Sequence, residues 1–278
     1  MCSKSLISVL ILYLCFDYAH QHKENHMSRL YRQLAARLPA ANDWDFLMFT
    51  QQWPSSMCKV WTHKKPHHHC VFPKKPDSWT IHGIWPTKKG TKGPFNCNNT
   101  WLFDVEQIRP IENELEEAWT NIEKETALYN LWAHEWNKHG TCAASLEALN
   151  SQLKYFSKGI ELLNKYHMND MLSAANILPS NTTGLNAQDI NKAIASKLGI
   201  RPFIACEFED GIQYLMELRI CFDKQMNVME CEGEHEINGL ITNCVISKEI
   251  MYPAREQPAN RQLVQLYKFV NWVQWFTL

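Results

Sequence analysis

Only 10 of the 278 residues are glycine, and they follow no period, which excludes a collagen-like or glycine-linker chain. No two cysteines stand as CxxC, so neither a zinc ribbon nor a thioredoxin-type redox site is supported. There is no GxSxG, the nucleophile elbow of many Ser/His/Asp hydrolases. HExxH is missing too: the nearest approach, HEWNKH at 134–139, sets its histidines five apart, about 140° around an α-helix and not on one face. No apolar run reaches the ~20 residues that span a bilayer. No internal repeat or low-complexity linker divides the chain. Net charge is nearly absent, 28 Lys+Arg against 29 Asp+Glu, and 45% of residues are hydrophobic, which together exclude a disordered chain. On average this balance also argues against a nucleic-acid binder.

The termini and the cysteines point to a compartment. Lys4 followed by the apolar run Leu6–Phe16 reads as a secretory signal, with cleavage near Ala19; an uncleaved anchor is the alternative. Residues 1–19 are assigned to the signal and 20–43 to an N-terminal arm, in which 28–38 forms a short helix or stays disordered. Removing the signal takes Cys2 and Cys15 with it. Eight cysteines remain, Cys58, Cys70, Cys97, Cys142, Cys206, Cys221, Cys231 and Cys244. An even number behind a signal implies disulfides made in an oxidising lumen, and the spacing alone leaves the pairing open. Asn98 and Asn181 open two N-glycosylation sequons. The apolar end 263–278 is too short to span a membrane. It reads as a final packed element, an interfacial segment or a poorly integrated tail over 254–278, with no function assigned.

Between the termini, Trp44–Gln52 alternates as a strand, with Trp44, Phe46 and Met48 on one face. Residues 54–78, rich in Pro, Lys and His, read as a loop. Trp79–Trp85 reads as a strand with Thr80, His82 and Ile84 pointing one way and Trp79, Ile81 and Gly83 the other. Residues 104–125 favour helix with a break at Pro110, and 128–139 is a helix stopped by Gly140 as its C-cap. Helical spacing covers 145–165, and 187–198 follows an Asn186 cap. Phe203–Phe208 and Ile212–Phe222 are strands, the second with Tyr214, Met216, Leu218, Ile220 and Phe222 on one face. Without a βαβ rhythm, the class is α+β: one catalytic domain over 44–253, with a mainly antiparallel sheet flanked by helices and stapled by disulfides.

Two segments concentrate chemistry, WTIHGIWP at 79–86 and HEWNKHGTC at 134–142. On an α-helix, His134, Lys138, Glu135 and His139 fall within an arc of about 140°, while Tyr129, Trp132, Ala133 and Trp136 fall on the opposite side. Such an arc could simply be a solvated face. Two imidazoles, an ammonium and a carboxylate within six residues are unusual for one. A metal cluster is disfavoured by the spacing, and His67-His68-His69-Cys70 reads as a solvated loop with a disulfide cysteine, because consecutive residues seldom converge on one ion. Proton transfer at a phosphodiester fits the set: one imidazole takes a proton, the other gives one, and a cation meets the developing charge. Without a metal-bound hydroxide, RNA supplies its own 2′-hydroxyl next to the phosphorus, where proximity is worth ~7–11 kcal/mol.

Both segments resemble the two active-site signatures of the ribonuclease T2 family, and the likeness runs from about Trp44 to Tyr252, including Gln52-Trp53-Pro54 and the order of the cysteines. The chain closely resembles the animal secreted or lysosomal members. The resemblance implies an α+β fold and an endoribonuclease that cleaves single-stranded RNA through a 2′,3′-cyclic phosphate, needing neither cofactor nor metal. It implies His139 as general base, His82 as general acid, Glu135 and Lys138 as stabilisers of the pentacoordinate phosphorus, His134 as a phosphate contact and Trp85 as a base-stacking platform. It also implies the bridges Cys58–Cys70, Cys97–Cys142, Cys206–Cys244 and Cys221–Cys231. Thr87 stands where many relatives carry an acidic base contact, which unsettles base preference. The expectation is a monomer without a membrane span, delivered through the endoplasmic reticulum to the lysosomal lumen or outside. The alternative is a ribonuclease-like secreted glycoprotein that signals or binds.

The mean charge conceals a segregation. From Cys58 to Gly93, eight lysines and five histidines face one acid, Asp77; from Asp104 to Glu125, eight acids face Arg109 and Lys124. The first signature thus sits in a basic segment, and the argument against a nucleic-acid partner lapses.

Overall fold

The structure, a computed structural model, describes residues 43–255 except 66, 92, 233 and 234. The expected signal at 1–19, nearly all of the arm at 20–43 and most of the tail at 254–278 lie outside the described residues. The first strand, β1 (Phe46–Gln52), is buried along its whole length because it is interior to the sheet. On one side it pairs antiparallel with β2 (Thr80–Thr87), on the other with β5 (Ile212–Phe222). Strand β4 (Phe203–Glu209) continues the sheet antiparallel to β5, and β8 (Leu240–Thr242) joins β4 in parallel, with β7 (Glu236–Ile237) at the far edge. The order is β2-β1-β5-β4-β8-β7, and the short strands β3 (Gly184–Leu185), β6 (Val228–Met229) and β9 (Ile250–Met251) attach beside it. The α+β, mainly antiparallel reading of the sequence is the fold observed.

The sheet separates two apolar clusters. The larger holds Leu47, Phe49, Ile81, Ile84, Leu218, Ile220 and Phe222 with Trp119 and the helical Trp136, Tyr155 and Phe156. The smaller holds Phe46, Met48, Phe203, Ala205 and Cys221. Truncating one of the buried tryptophans to alanine costs roughly 3–5 kcal/mol in such surroundings. Trp53 and Trp79 close the end of the fold: the Trp53 indole donates to the Pro253 carbonyl at 2.8 Å and that of Trp79 to the Tyr252 hydroxyl at 2.9 Å.

Two bulges change the expected faces. In the β1–β2 ladder Thr50 pairs with Gly83 and Gln51 with Ile81, leaving His82 as the extra residue. Alternation flips there. Ile81 and Ile84 therefore both enter the main core, and His82 and Trp85 both turn to a pocket, unlike the strict alternation read from the sequence. A second register shift in the β4–β5 pairing leaves Met216 extra and puts Leu215, not Tyr214 or Met216, in the main core beside Leu218.

Other corrections are local. Part of the expected 54–78 loop is a helix, α1 (Pro54–Lys64): Pro54 presets its first turn, Ser55, Ser56 and Val60 bury one side, and it stops at Lys65, which precedes Pro66. The acidic stretch 104–125 begins as two 3₁₀ turns around Pro110 and becomes α2 (Glu112–Ala118). α4 (Gln152–Lys165) starts later than expected, because Ser151 is extended and its Oγ caps the Lys154 amide. After the short α5 (Met168–Ser173), α6 (Ala187–Leu198) starts at its Asn186 cap and ends at Gly199, φ +74°, a conformation that suits glycine. Four disulfides join Cys58–Cys70, Cys97–Cys142, Cys206–Cys244 and Cys221–Cys231, the pairing that the resemblance implies. Parts of the two charged segments pack on each other: Glu117 accepts the Lys74 and Lys75 amides and Glu125 accepts from His69. Among the described residues no helix is long and apolar enough to cross a membrane.

Candidate active site

Helix α3 (Asn130–Glu135) brings the second signature to the β2 edge of the sheet. Trp132 and Trp136 anchor it in the main core, and the Trp136 indole donates to the Trp101 carbonyl at 2.9 Å. The helix does not stop at Gly140. Trp136–Gly140 forms a π turn and the chain remains right-handed through Gly140 to Ala143. Gly140 is needed for closeness and not as a left-handed cap: a Cβ there would lie 2.4 Å from the Trp136 ring. A π turn pairs residues five apart. It therefore brings His134 and His139 together, with ring centroids 6.2 Å apart, where an α-helix would have separated them.

One pocket of about 480 Å³ gathers His82, Trp85, His134, Glu135, Lys138 and His139. All six side chains expected at the site are thus in one place, together with Met48, Phe95 and Arg219, which the sequence reading had not included. Glu135 is fully buried; its Oε2 accepts the Trp85 indole N–H at 2.8 Å, and its Oε1 lies 3.9 Å from His82 Nε2. Gly83 makes this possible, since a Cβ there would come within 2.1 Å of both Glu135 Oε2 and Trp85 Nε1. His139 is 5% exposed and lies beside Trp85 and Phe95, with ring centroids 5.4 and 5.5 Å away. Lys138 Nζ sits 5.0 Å from the Phe95 centroid. The Cys97–Cys142 bridge and the Asn96 amide, which donates to the Lys138 carbonyl at 2.9 Å, hold the Phe95 loop against the π turn.

Electrostatics divides the two imidazoles. Burial pushes His139 down to about 2, with Lys138, His134 and His82 adding like charge. The helix-end dipole, which by itself would favour a charged His139, loses to this desolvation. Burial also opposes charge on His82, but the Glu217 and Glu135 carboxylates prevail and hold it above its ordinary value. Glu135 is pushed up to about 7 by burial, against the pull of His82, the Trp85 N–H and Lys138. His134 is exposed yet lowered, by partial desolvation and then by Lys138. Glu135 Oε1 and His139 Nδ1 are buried without a hydrogen-bond partner among the described residues.

Glu217 and Arg219 come from β5, 135 and 137 positions after His82, where only their alternation against apolar neighbours gave a signal. Glu217 Oε1 accepts from His82 Nδ1 at 2.5 Å, and its Oε2 accepts from Arg219 Nε and Nη2 at 3.0 and 2.7 Å. The π turn also revises the spacing argument against a metal: His134, Glu135 and His139 each bring a ligand atom within 4.8 Å of the others. Both expected glycosylation residues are exposed, and Asn98 Oδ1 accepts from the Thr100 hydroxyl and amide at 2.8 and 3.0 Å.

An α+β sheet protein with two oppositely biased histidines, a carboxyl and an ammonium on one pocket has the groups that acid–base chemistry on an anionic substrate requires. Comparison with known proteins makes the class specific. Residues 44–231 match the model of the ribonuclease T2 family. Ribonuclease Oy of Magallana gigas is 36% identical over 215 residues, 76% of this chain and 97% of that one. Ribonuclease T2 of Danio rerio is 37% identical over 70% of this chain and 75% of its own. Among solved structures, RNase NT in complex with 5′-AMP superposes with a TM-score of 0.64 at 28% identity, over 77% of this chain and all of that one. Human RNase T2 gives 0.61 at 30% identity, over 77% of this chain and all of its own. The chain belongs to the ribonuclease T2 family.

Proposed function

We propose that the protein is an endoribonuclease that cleaves single-stranded RNA through a 2′,3′-cyclic phosphate. The observation that carries this reading is the gathering of His82, His139, Glu135 and Lys138 in one pocket, where burial lowers His139 and the neighbouring carboxylates raise His82. His139, neutral down to about pH 2, takes the proton of the 2′-hydroxyl as that oxygen bonds to phosphorus. His82 gives its proton to the 5′-oxygen as the P–O5′ bond breaks. Glu135, carrying its proton below about pH 7, donates a hydrogen bond to the phosphoryl oxygens, and Lys138 supplies positive charge. His134 contacts the phosphate and Trp85 offers its ring to a base. DNA, without the 2′-hydroxyl, is not cut. Activity belongs to acidic pH and falls as Glu135 and His82 lose their protons.

Four disulfides and the exposed Asn98 and Asn181 support a glycoprotein secreted or held in the lysosomal lumen. The test is cleavage of single-stranded RNA at pH 5 and pH 7 in excess EDTA, with analysis of the ends. Cyclic-phosphate ends and resistance to EDTA are expected. Complete inhibition by EDTA would point instead to a metal at His134, Glu135 and His139. Full activity in a His82→Ala or His139→Ala protein would refute the assignment.

A further inference from the structure

Glu217 lies outside both signatures, yet it makes a direct hydrogen bond to a pocket histidine. The backbone explains how it gets there. On β5, Glu217 and Arg219 share a face; across the ladder they stand opposite Gln52 and Thr50 of β1. Gly83 of β2 continues the Thr50 row, and the bulge swings the extra residue, His82, toward β5 over the intervening strand. Arg219 is fixed in turn: its guanidinium carbon lies 4.6 Å from the Phe203 centroid and 5.2 Å from that of Trp85, and Nη1 is 3.6 Å from Met48 Sδ.

We propose that Glu217, oriented by Arg219, is a positioning residue for His82: it fixes the ring with Nε2 toward the substrate and sets its readiness to carry a proton there. The inference deepens the ribonuclease reading and rests on it. The carboxylate is divided between two tasks. Oε2 takes both Arg219 donors, so Oε1 is left at His82 Nδ1. An ionised carboxylate only accepts, which obliges Nδ1 to hold a hydrogen. A proton on Nε2 therefore exists only in the charged ring. When it passes to the leaving 5′-oxygen, the neutral ring is left with its lone pair on Nε2, facing the pocket. That lone pair can take a proton from water as water opens the cyclic phosphate, which restores the charged ring. Glu217 stays ionised throughout, held well below the usual carboxylate range by Arg219 and His82 against its burial. The other groups around His82 are Glu135, which also favours its charge, and His134, Lys138 and His139 from α3 and the π turn.

The experiment measures the His82 titration by NMR in the free protein, alongside kcat and KM for a dinucleotide across pH, in the parent, E217Q and R219Q chains. Glutamine at 217 can still accept from Nδ1 but lacks the charge. E217Q is expected to lower the His82 titration and the upper limb of the kcat profile together by a pH unit or more. At pH 6 and above kcat falls at least tenfold while KM changes less than twofold. R219Q removes a like charge next to His82, and its titration moves upward. It also provides the measurement should E217Q not fold. An unmoved His82 titration in E217Q, or, should that chain not fold, an R219Q chain in which both the His82 titration and the kcat profile stay unmoved, overturns the proposal. A parent protein that does not cut RNA, or an H82A chain that cuts normally, refutes the ribonuclease reading instead, and the NMR titrations distinguish the two failures.

Discussion

Gly83→Ala tests whether the bond between Trp85 and Glu135 organises the site. The added methyl would stand 2.1 Å from both Glu135 Oε2 and Trp85 Nε1, so one partner must move and the 2.8 Å hydrogen bond is lost. Glu135 is fully buried and its other oxygen already has no partner among the described residues, so no second bond can offset the loss. At pH 8, where Glu135 is ionised, a hydrogen bond to it contributes about 1.5–3 kcal/mol, and overpacking a tight site adds about 1–3 kcal/mol. The sum is a destabilisation of about 2.5–6 kcal/mol. If about 3 kcal/mol of this falls on the transition state, kcat/KM drops by about 100-fold. Urea unfolding measures the first quantity and dinucleotide cleavage the second. Trp85→Phe supplies an independent route, since it deletes the donor without adding a methyl. Because both changes break one bond, the double variant should be less damaged than the two single losses added, by about 1–3 kcal/mol. A G83A chain within about 0.5 kcal/mol of the parent in stability and within twofold in activity would refute the reasoning.

Stability should also depend on pH through Glu135. Its folded pKa is about 7 against an ordinary 4.5, so the folded state holds the proton more tightly than the unfolded chain. The associated stability is complete below about pH 4.5 and is lost as pH rises through 7. Glu135→Gln, neutral at every pH, should match the parent in urea unfolding at pH 4 and exceed it at pH 8 by on the order of 3 kcal/mol; an equal gap at both values would contradict the shift. RNA affinity should weaken with salt, and Lys138→Gln should flatten the plot of log K against log salt by about 0.7; an unchanged slope would mean that Lys138 does not meet a phosphate.

The candidate residues that could be read from the sequence are those that crowd together along it. His134, Glu135, Lys138 and His139 fall within six positions, and His82 and Trp85 within four, so their chemistry was visible before any fold. The antiparallel α+β class was visible for a related reason: β5 alternates over a long run, and α6 carries both an Asn cap and a Gly stop. What stayed hidden depends on single residues acting at a distance. The bulge at His82 and the extra residue at Met216 have no local signature, so two strand faces were misread. Helix α1 was hidden by a lysine- and histidine-rich composition, although Pro54 stood at its start. Glu217 and Arg219 meet His82 only through register across β1, which pairing decides and periodicity cannot. The segregation of charge, clear in the sequence, is partly cancelled where Glu117 and Glu125 pack on the basic segment.

The π turn at Trp136–Gly140 makes chain length itself a determinant of the site. Trp136 is tied to the core before it and Cys142 is tied to Cys97 after it, so the surplus residue cannot be absorbed by fraying at either end. Deleting one position inside this turn would let an ordinary α-helix form, with its ladder of hydrogen bonds intact and its tryptophans still buried. If the residue removed is Gly140, His134 and His139 return to five positions of an α-helix, about 140° apart around the axis. Substitutions and deletions here therefore belong to different categories of damage: a substitution can weaken one group, whereas loss of Gly140 moves two histidines apart without touching either.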